Sequence, residues 1–313
     1  MGTGRQQKQP GADPAPAHPV TATRGWLPLT PNGVAAYAQA PLQRVIVLQA
    51  ISATVCTLVF GWLLVSSVFP TIQEAVKHLP EQGMVTLGEL KIAEDAIVPH
   101  PLAASTWLAL DVDATSGAAR NPSRDVDIVF ARNGIRLISA LGTSRIPYPP
   151  HWYFPFNRVD LLAAWEAWEA MLYGALLLAT FIGLIVSWWI LATMHCLLPR
   201  ILAYFTERDL SLNGAWKLCA ASLVPGAILM IVGLIALELD ALGGVQFALL
   251  FVIHFLVPIV YSLLGTCHLA PSPRKAARAH NPFGPAPSAS EETGSASSSP
   301  APRKPANPFA RID

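Results

Sequence analysis

Four long apolar stretches constrain the fold of this chain more than any other feature of its sequence. They run from Val45 to Phe69, Met171 to Met194, Leu218 to Leu237 and Val245 to Thr266, and none has an Asp, Glu, Lys or Arg in its interior. A helix of about 20 mainly apolar residues crosses the hydrocarbon layer of a membrane. Charged residues make up only 13% of the chain, against roughly 25% in soluble domains. The sequence therefore predicts four transmembrane helices.

The first apolar stretch predicts a retained membrane anchor rather than a cleaved signal peptide. It exceeds the roughly 7–15 residues of a signal-peptide core, and 44 residues precede it in place of a short basic leader. Orientation follows from Lys and Arg, because loops rich in them stay in the cytoplasm. Residues 1–44, 195–217 and 267–313 carry 13 Lys and Arg against 6 Asp and Glu, whereas 70–170 and 238–244 carry 8 against 14. We expect both termini in the cytoplasm and residues 70–170 outside it.

These features predict an α-helical integral membrane protein with four transmembrane helices and a small β-rich (α+β) extracytoplasmic domain between helices 1 and 2. The tail is rich in Pro, Ser and Ala and lacks an apolar period, which is typical of disorder. The expected segments are a disordered or interfacial cytoplasmic N-terminus 1–42, helix 1 at 43–69, the β-rich domain 70–168, helix 2 at 170–196, an interfacial loop 197–216, helix 3 at 217–237, helix 4 at 244–267 and a disordered cytoplasmic tail 268–313.

The β-rich domain shows its clearest signal in "VDIVFARNGIRLISA". Alternating and β-branched runs predict antiparallel strands at about 126–131 and 135–139, joined by a tight turn at Asn133 and Gly134. The next segment, "IPYPPHWYFPFN", holds four prolines and five aromatic residues, which excludes a regular helix or a central strand. A helix is expected to restart after it, with Asp160 as its cap.

The stretch "WLALDVDATSG" raises the question of chemistry at Asp111. Asp111 to Thr115 resemble the nucleophile motif of haloacid dehalogenases, but that superfamily needs a large doubly wound sheet, which a short antiparallel domain does not supply. A weak calcium site at Asp111 and Asp113 is a second alternative, although Gly117 comes one position late for an EF-hand turn. We favour a strand that ends in a turn.

The order of the motifs resembles a known arrangement. One span precedes "LGELKI", "ALDVDATSG", "VFARNGI" and "IPYPP", and three spans follow, with "LNGAWKLCAASLVPGAIL" in the second of these. This order is similar to a family of uncharacterised four-span bacterial membrane proteins, some of which carry a maltodextrin-utilisation label. The resemblance covers residues 40–268 and implies a bacterial inner membrane, a structural role for the Asp111 segment and no catalytic residues.

His254 and Pro258 form the candidate polar site inside the fourth stretch. A histidine at mid-membrane is costly and is therefore a functional candidate. Pro258 has no N–H, so the carbonyl of His254 loses its helical partner and the helix is expected to kink. The pair could line a proton or ligand path; the alternative is that His254 only hydrogen-bonds to a neighbouring helix, for example to Ser222.

Two mirrored dipeptides suggest a metal site. His195-Cys196 and Cys267-His268 follow the second and fourth apolar stretches, where two imidazoles and two thiolates would complete a tetrahedral zinc site if the helix ends adjoin. Ordinary residues at a membrane interface are the favoured interpretation, and no cofactor is expected.

Small residues on the third stretch predict its packing face. Cys219, Ser222, Gly226 and Gly233 recur at three-, four- and seven-residue spacing, which lets a neighbouring helix approach closely. The sequence leaves open whether that neighbour belongs to the same chain or to a second copy in a homo-oligomer.

The tail repeats one short motif. An Arg-Lys pair is followed by the tripeptide Asn-Pro-Phe in two places, at Asn281, Pro282 and Phe283 and at Asn307, Pro308 and Phe309. Two copies on one flexible chain would raise avidity for a two-site cytoplasmic partner. Compositional drift, or attraction of the basic residues to anionic lipid, is the alternative.

Together these features favour a non-enzymatic accessory, scaffold or sensor protein. The lipid bilayer is the expected partner, with a cytoplasmic protein as a second partner through the tail. A net charge of +1 gives no reason to expect nucleic acid. A small transporter or transporter subunit built around His254 and Pro258 is the alternative.

The tail hypothesis makes a direct prediction. Replacing Phe283 and Phe309 together by Ala should reduce capture of a cross-linked cytoplasmic partner in intact membranes, because both aromatic contacts are lost. Quantitative mass spectrometry of the captured protein measures the effect, and membrane abundance of the variant is the control. Equal capture by both chains would contradict a binding role for the tripeptides.

Overall fold

Four helices of the chain are long and apolar enough to cross a membrane: Leu42–Lys77, Arg158–Phe205, Leu212–Glu238 and Gly244–Cys267. The structure is a computed structural model that describes residues 27–92, 100–113 and 124–272. Residues 1–270 form one compact unit. Of the unit that follows, Pro271–Asp313, the described part holds only residues 271 and 272, so the predicted tail motifs lie outside the described residues.

The helices follow the predicted stretches closely. A 3-10 helix, Tyr37–Gln39, follows the first short helix, Pro31–Ala36, and a π-helical segment, Leu64–Val68, joins the helices Leu42–Leu63 and Phe69–Lys77 without a break. The helices are α1 Pro31–Ala36, α2 Leu42–Leu63, α3 Phe69–Lys77, α4 Arg158–His195, α5 Leu197–Phe205, α6 Leu212–Glu238 and α7 Gly244–Cys267.

The second long helix restarts where it was predicted, directly after Asn157, but with a different cap. The second long helix begins at Arg158, ten residues before the predicted end of the β-rich domain. Its cap is Asn157, whose side chain accepts a hydrogen bond from the Asp160 N–H at 2.9 Å, so Asp160 lies in the first turn instead of capping it. Both side chains can cap a helix, and Asn157 is better placed because Pro155 has already ended the preceding strand.

Helix α6 is the centre of the bundle and packs against α2, α4 and α7. Half of its most apolar window is buried inside the protein, against 11% in the windows of the second and fourth long helices. The predicted small-residue stripe is the reason, and its partner is α7 of the same chain. A Cβ at Gly233 would lie 2.1 Å from Leu250 Cδ2, so Leu250 fills the space that the glycine leaves.

The described part of the N-terminal segment, residues 27–42, packs on the bundle. Residues 1–42 were expected to be disordered or interfacial; within the described part, α1 and the 3-10 helix pack against α6 and α7, with Val34 and Tyr37 almost fully buried. The Lys217 ammonium donates to the Ala40 carbonyl at 2.7 Å and ties the segment to α6. These few apolar side chains fill one end of the bundle. Their burial stabilises the fold, and local composition does not reveal it.

The β domain, residues 83–155, contains two sheets in its described part. A three-stranded sheet has the order β2-β1-β8 and a five-stranded sheet the order β3-β4-β5-β6-β7. The strands are β1 Gly83–Thr86, β2 Glu89–Ile92, β3 His100–Ala104, β4 Leu108–Asp113, β5 Val126–Ala131, β6 Gly134–Ser139, β7 Gly142–Pro147 and β8 Tyr153–Pro155.

The predicted hairpin is confirmed, with its turn shifted by one residue. β5 and β6 pair antiparallel, but Ala131 pairs with Gly134, so the turn residues are Arg132 and Asn133. Gly134 belongs to the strand, with φ +153°, because a Cβ there would lie 2.4 Å from the Ile146 carbonyl oxygen. The glycine is needed for close approach of the next strand.

The expectation of a purely antiparallel domain is wrong for one strand pair. β4 and β5 run parallel, with Leu108 opposite Val126 and Asp113 opposite Ala131. A parallel pair needs a crossover of about a dozen residues. Residues 114–125 are long enough to supply it.

Asp111 lies in the middle of β4 and is 3% exposed. Alternate residues of a strand face opposite sides of its sheet, so Asp111 faces away from the side on which Leu110 packs against α3. Asp113 accepts a hydrogen bond from Arg136 at 2.7 Å. The strand predicted up to Val112 is present from Leu108, and it includes Asp113, which was expected in the turn; residues 114–117 of that turn lie outside the described residues.

The core of the β domain lies between α3 and the five-stranded sheet. Buried apolar residues from α3, β1, β2, β3 and β4 form one cluster with Tyr148 and Phe156. Burial raises the pKa of Tyr148 to about 12 because its ionised form would lose contact with water. The interior of this domain is therefore strongly apolar.

Candidate functional site

An apolar cleft of the helical bundle lies between α4 and α7. Helix α6 is its floor, and Cys56 and Phe60 of α2 close its back. Its volume is about 260 Å³. Helices α4 and α7 both pack on α6, and the floor of the cleft includes the small residues Gly226 and Ala227.

The cleft is long and narrow. On α4 it extends from Thr180 to His195, which at 1.5 Å per residue is roughly 22 Å, and on α6 from Leu223 to Leu234, roughly 16 Å. One leaflet of a bilayer contributes about half of the ~30 Å hydrocarbon thickness. The cleft therefore has the length of one lipid chain.

The lining of the cleft is apolar apart from a few weakly polar groups. No Asp, Glu, Lys or Arg lines the cleft. Apart from the indole of Trp188, polar side-chain atoms come only from Cys56, Thr180, His195 and His254. Such a surface offers little to a charged or highly hydroxylated solute. It offers large dispersion contacts to a hydrocarbon.

His254 lies on the wall of the cleft and makes its hydrogen bond within its own helix. Its Nδ1–H donates to the Phe251 carbonyl, and its ring packs between Phe251 and Phe255 at centroid distances of 4.9 and 4.0 Å. The predicted bond to Ser222 does not form, because the Ser222 hydroxyl donates to the Cys219 carbonyl at 2.8 Å. His254 therefore finds its hydrogen-bond partner within its own helix.

Pro258 shapes the contact between α7 and the floor. It leaves the His254 carbonyl without its usual helical N–H donor. Gly226 of α6 packs on this point: a Cβ there would lie 2.8 Å from the His254 carbonyl oxygen and 3.2 Å from the Pro258 ring. The glycine thus brings two backbones together at the freed carbonyl, a geometry that suits a weak Cα–H···O contact.

Gln49 is a polar residue of the bundle that the sequence interpretation missed. It is 1% exposed, its Oε1 accepts from Trp189 Nε1 at 3.0 Å, and its Nε2 donates to the Ala220 carbonyl at 3.4 Å. These bonds join α2, α4 and α6 beside Trp188, which lines the cleft. The signal was present, because an amide inside an apolar span must find partners.

A carboxylate links the bundle to the β domain. Glu238, in the last turn of α6, accepts from the Ser67 hydroxyl at 2.6 Å and from Trp107 Nε1 at 3.3 Å. Ser67 lies in the π-helical segment, and π-helical turns often mark functional positions. Close by, the Asp125 side chain packs on Gly244 at the N-terminus of α7, where a negative charge is favourable.

The predicted zinc ligands are not brought together. Cys196 is buried and its thiol donates to the Thr193 carbonyl at 3.0 Å, whereas Cys267 is exposed. His268 Nδ1 bonds to the Leu264 carbonyl at 2.8 Å, and His195 lines the cleft. Within residues 27–92, 100–113 and 124–272, no three His, Cys, Asp or Glu side chains gather as metal ligands, and this includes Asp111 and Asp113.

Comparisons with protein-family models, with curated proteins and with solved structures gave no match. The similarity to four-span bacterial membrane proteins therefore stays a prediction. The cleft, its apolar lining and its links to the β domain are the features from which a function can be inferred.

The contact at Gly226 makes a stability prediction. Gly226→Ala should destabilise the bundle by about 1–3 kcal/mol, because the new methyl group meets the backbone of α7. Thermal unfolding in one detergent measures the effect. Gly174→Ala and Gly183→Ala are matched controls on α4, since a Cβ at either position meets nothing within 4 Å. They should be neutral or stabilising by up to about 1 kcal/mol. A Gly226→Ala protein as stable as these controls would contradict the close packing.

Proposed function

We propose that this chain is an integral membrane protein that acts as a non-enzymatic accessory or sensor protein by binding a lipid-like molecule in the cleft between α4 and α7. Both termini lie in the cytoplasm, and the β domain lies on the other side of the membrane. The observation that carries this proposal is an apolar cleft of one lipid chain's length, bounded by all four long helices.

The chemistry of the cleft supports binding of a hydrocarbon more than transport of a polar solute. A transport path for ions or sugars needs polar or charged groups at successive depths. Here the lining carries no carboxylate, and the Nδ1–H of His254 is used within its own helix. A lipid chain needs only apolar contact, which Leu184, Met230 and Phe255 supply.

The links between bundle and β domain support a sensor role. Glu238 is hydrogen-bonded to both Ser67 and Trp107, so a shift of α6 would act directly on the β domain. The floor of the cleft belongs to the same helix. Occupancy of the cleft would therefore change the position of a helix that both domains share.

Thiol labelling tests the orientation. Cys267 is exposed at the end of α7, whereas Cys196 and Cys219 are buried. A membrane-impermeant maleimide should label Cys267 in inside-out vesicles and leave it unlabelled in intact cells. As the opposite control, Cys267→Ser with Ser144→Cys places a thiol on the exposed strand β7 and should label in intact cells. The reverse pattern would overturn the orientation.

Filling the cleft tests the function itself. Ala227→Leu adds apolar atoms to the floor and should lower the fraction of protein that retains a lipid about tenfold, because the chain loses its space. Native mass spectrometry after mild detergent extraction counts the retained lipid. Ala179→Leu makes the same change on the exposed face of α4 and should have no effect. Equal lipid retention by the two variants would exclude the cleft as the binding site.

A further inference from the structure

A second apolar cavity lies inside the β domain, between α3 and the five-stranded sheet. Its volume is about 310 Å³. Ile72 and Val76 of α3 form one wall, and Leu110, Ile128 and Phe130 of strands β4 and β5 form the other. The cavity shares no lining residue with the cleft of the bundle, so it is a separate site.

Every residue that lines this cavity is apolar. A water molecule inside would find no side-chain partner, so the cavity favours apolar contents. Protein cores pack closely and leave few voids larger than a water molecule. A space of this size therefore falls in the range of ligand pockets instead of packing defects.

The cavity reaches the end of the helical bundle. Val68, the last residue of the π-helical segment, and Leu161, near the start of α4, line it there. Beside them the Phe69 ring packs edge-on against Trp165 and Tyr173, at centroid distances of 5.2 and 6.0 Å. Trp and Tyr are enriched where a membrane meets water. In the proposed placement, this end of the cavity lies at the headgroup layer, next to the chains of one leaflet.

The shape and chemistry of the cavity select its occupant. A partner helix is about 10 Å wide and does not fit in this volume. An extended peptide or a polar solute would bring hydrogen-bonding groups that no lining side chain can satisfy. A hydrocarbon chain brings none.

We propose that the β domain holds one hydrocarbon chain of a membrane lipid between α3 and the five-stranded sheet. This site rests on the proposed membrane placement, and it is independent of whether the cleft of the bundle is occupied. It makes the β domain a lipid-binding domain in its own right.

Photo-cross-linking in membranes that contain the full chain tests this site. A fatty acid with a diazirine in mid-chain is added and irradiated, and mass spectrometry locates the modified residues. We expect adducts on Ile128 and Phe130, because their side chains line the cavity on strand β5. An absence of adducts on β5 would overturn the proposal.

A filling variant supplies the specific test. Ala75 is 5% exposed and lines the cavity, so Ala75→Phe should reduce the β5 adducts about tenfold by occupying the space. Ala104→Phe makes the same change at an exposed position of β3 and should leave the adducts unchanged. Ala75→Leu is the smaller variant to use if thermal unfolding shows that Ala75→Phe does not fold. Undiminished adducts in the folded Ala75 variant would also overturn the proposal.

The same digest separates this site from the cleft. Adducts on Leu184 and Met230 indicate that the cleft is occupied. The yield of these adducts should be lowered by Ala227→Leu and not by the Ala75 variants. Adducts on β5 without adducts in the cleft would contradict the proposed function and support the second site. The opposite pattern would overturn the second site alone.

Discussion

The bundle depends on how closely α6 can approach its neighbours. Apolar helices surrounded by lipid gain little from hydrophobic burial against one another, so contact between their backbones and side chains must hold them together. Gly226 and Gly233 provide that contact with α7, through the His254 carbonyl and the Leu250 side chain. Cys219 and Ser222 continue the same buried stripe. Small side chains make α6 narrow along this stripe. Helices α2, α4 and α7 all pack on α6, and the cleft lies between α4 and α7.

Three polar side chains of the bundle find their hydrogen-bond partners in different ways, whereas the buried Thr57 hydroxyl of α2 has none. Gln49 uses both ends of its amide to join three helices. His254 turns back to its own helix, which leaves the cleft almost free of hydrogen-bonding demand. Glu238 avoids the apolar interior by lying at the end of α6, where a serine and an indole N–H donate to it. The polar groups therefore fix the position of the helices and leave the cleft walls apolar.

The two cavities have a common physical character although they lie in different parts of the fold. One is bounded by helices and the other by a helix and a sheet, yet both are lined by aliphatic and aromatic side chains. Water finds no side-chain partner in the cavity of the β domain and few in the cleft, whereas a hydrocarbon chain needs none. The continuous helix from Leu42 to Lys77 contributes to both linings, through Phe60 on one side and Val68 on the other.

The sequence by itself determined the apolar spans, the hairpin of β5 and β6 and the small-residue face of α6. Each of these depends on a local period or composition, and local patterns can be read without knowledge of the partners. It did not reveal that Gln49 joins three helices, that α1 fills the end of the bundle or that β4 and β5 are parallel. It left open whether His195, Cys196, Cys267 and His268 meet, and within the described residues the structure gathers no group of metal ligands. Only the tertiary structure decided these points and created the two cavities, because each depends on distances between residues far apart in the chain.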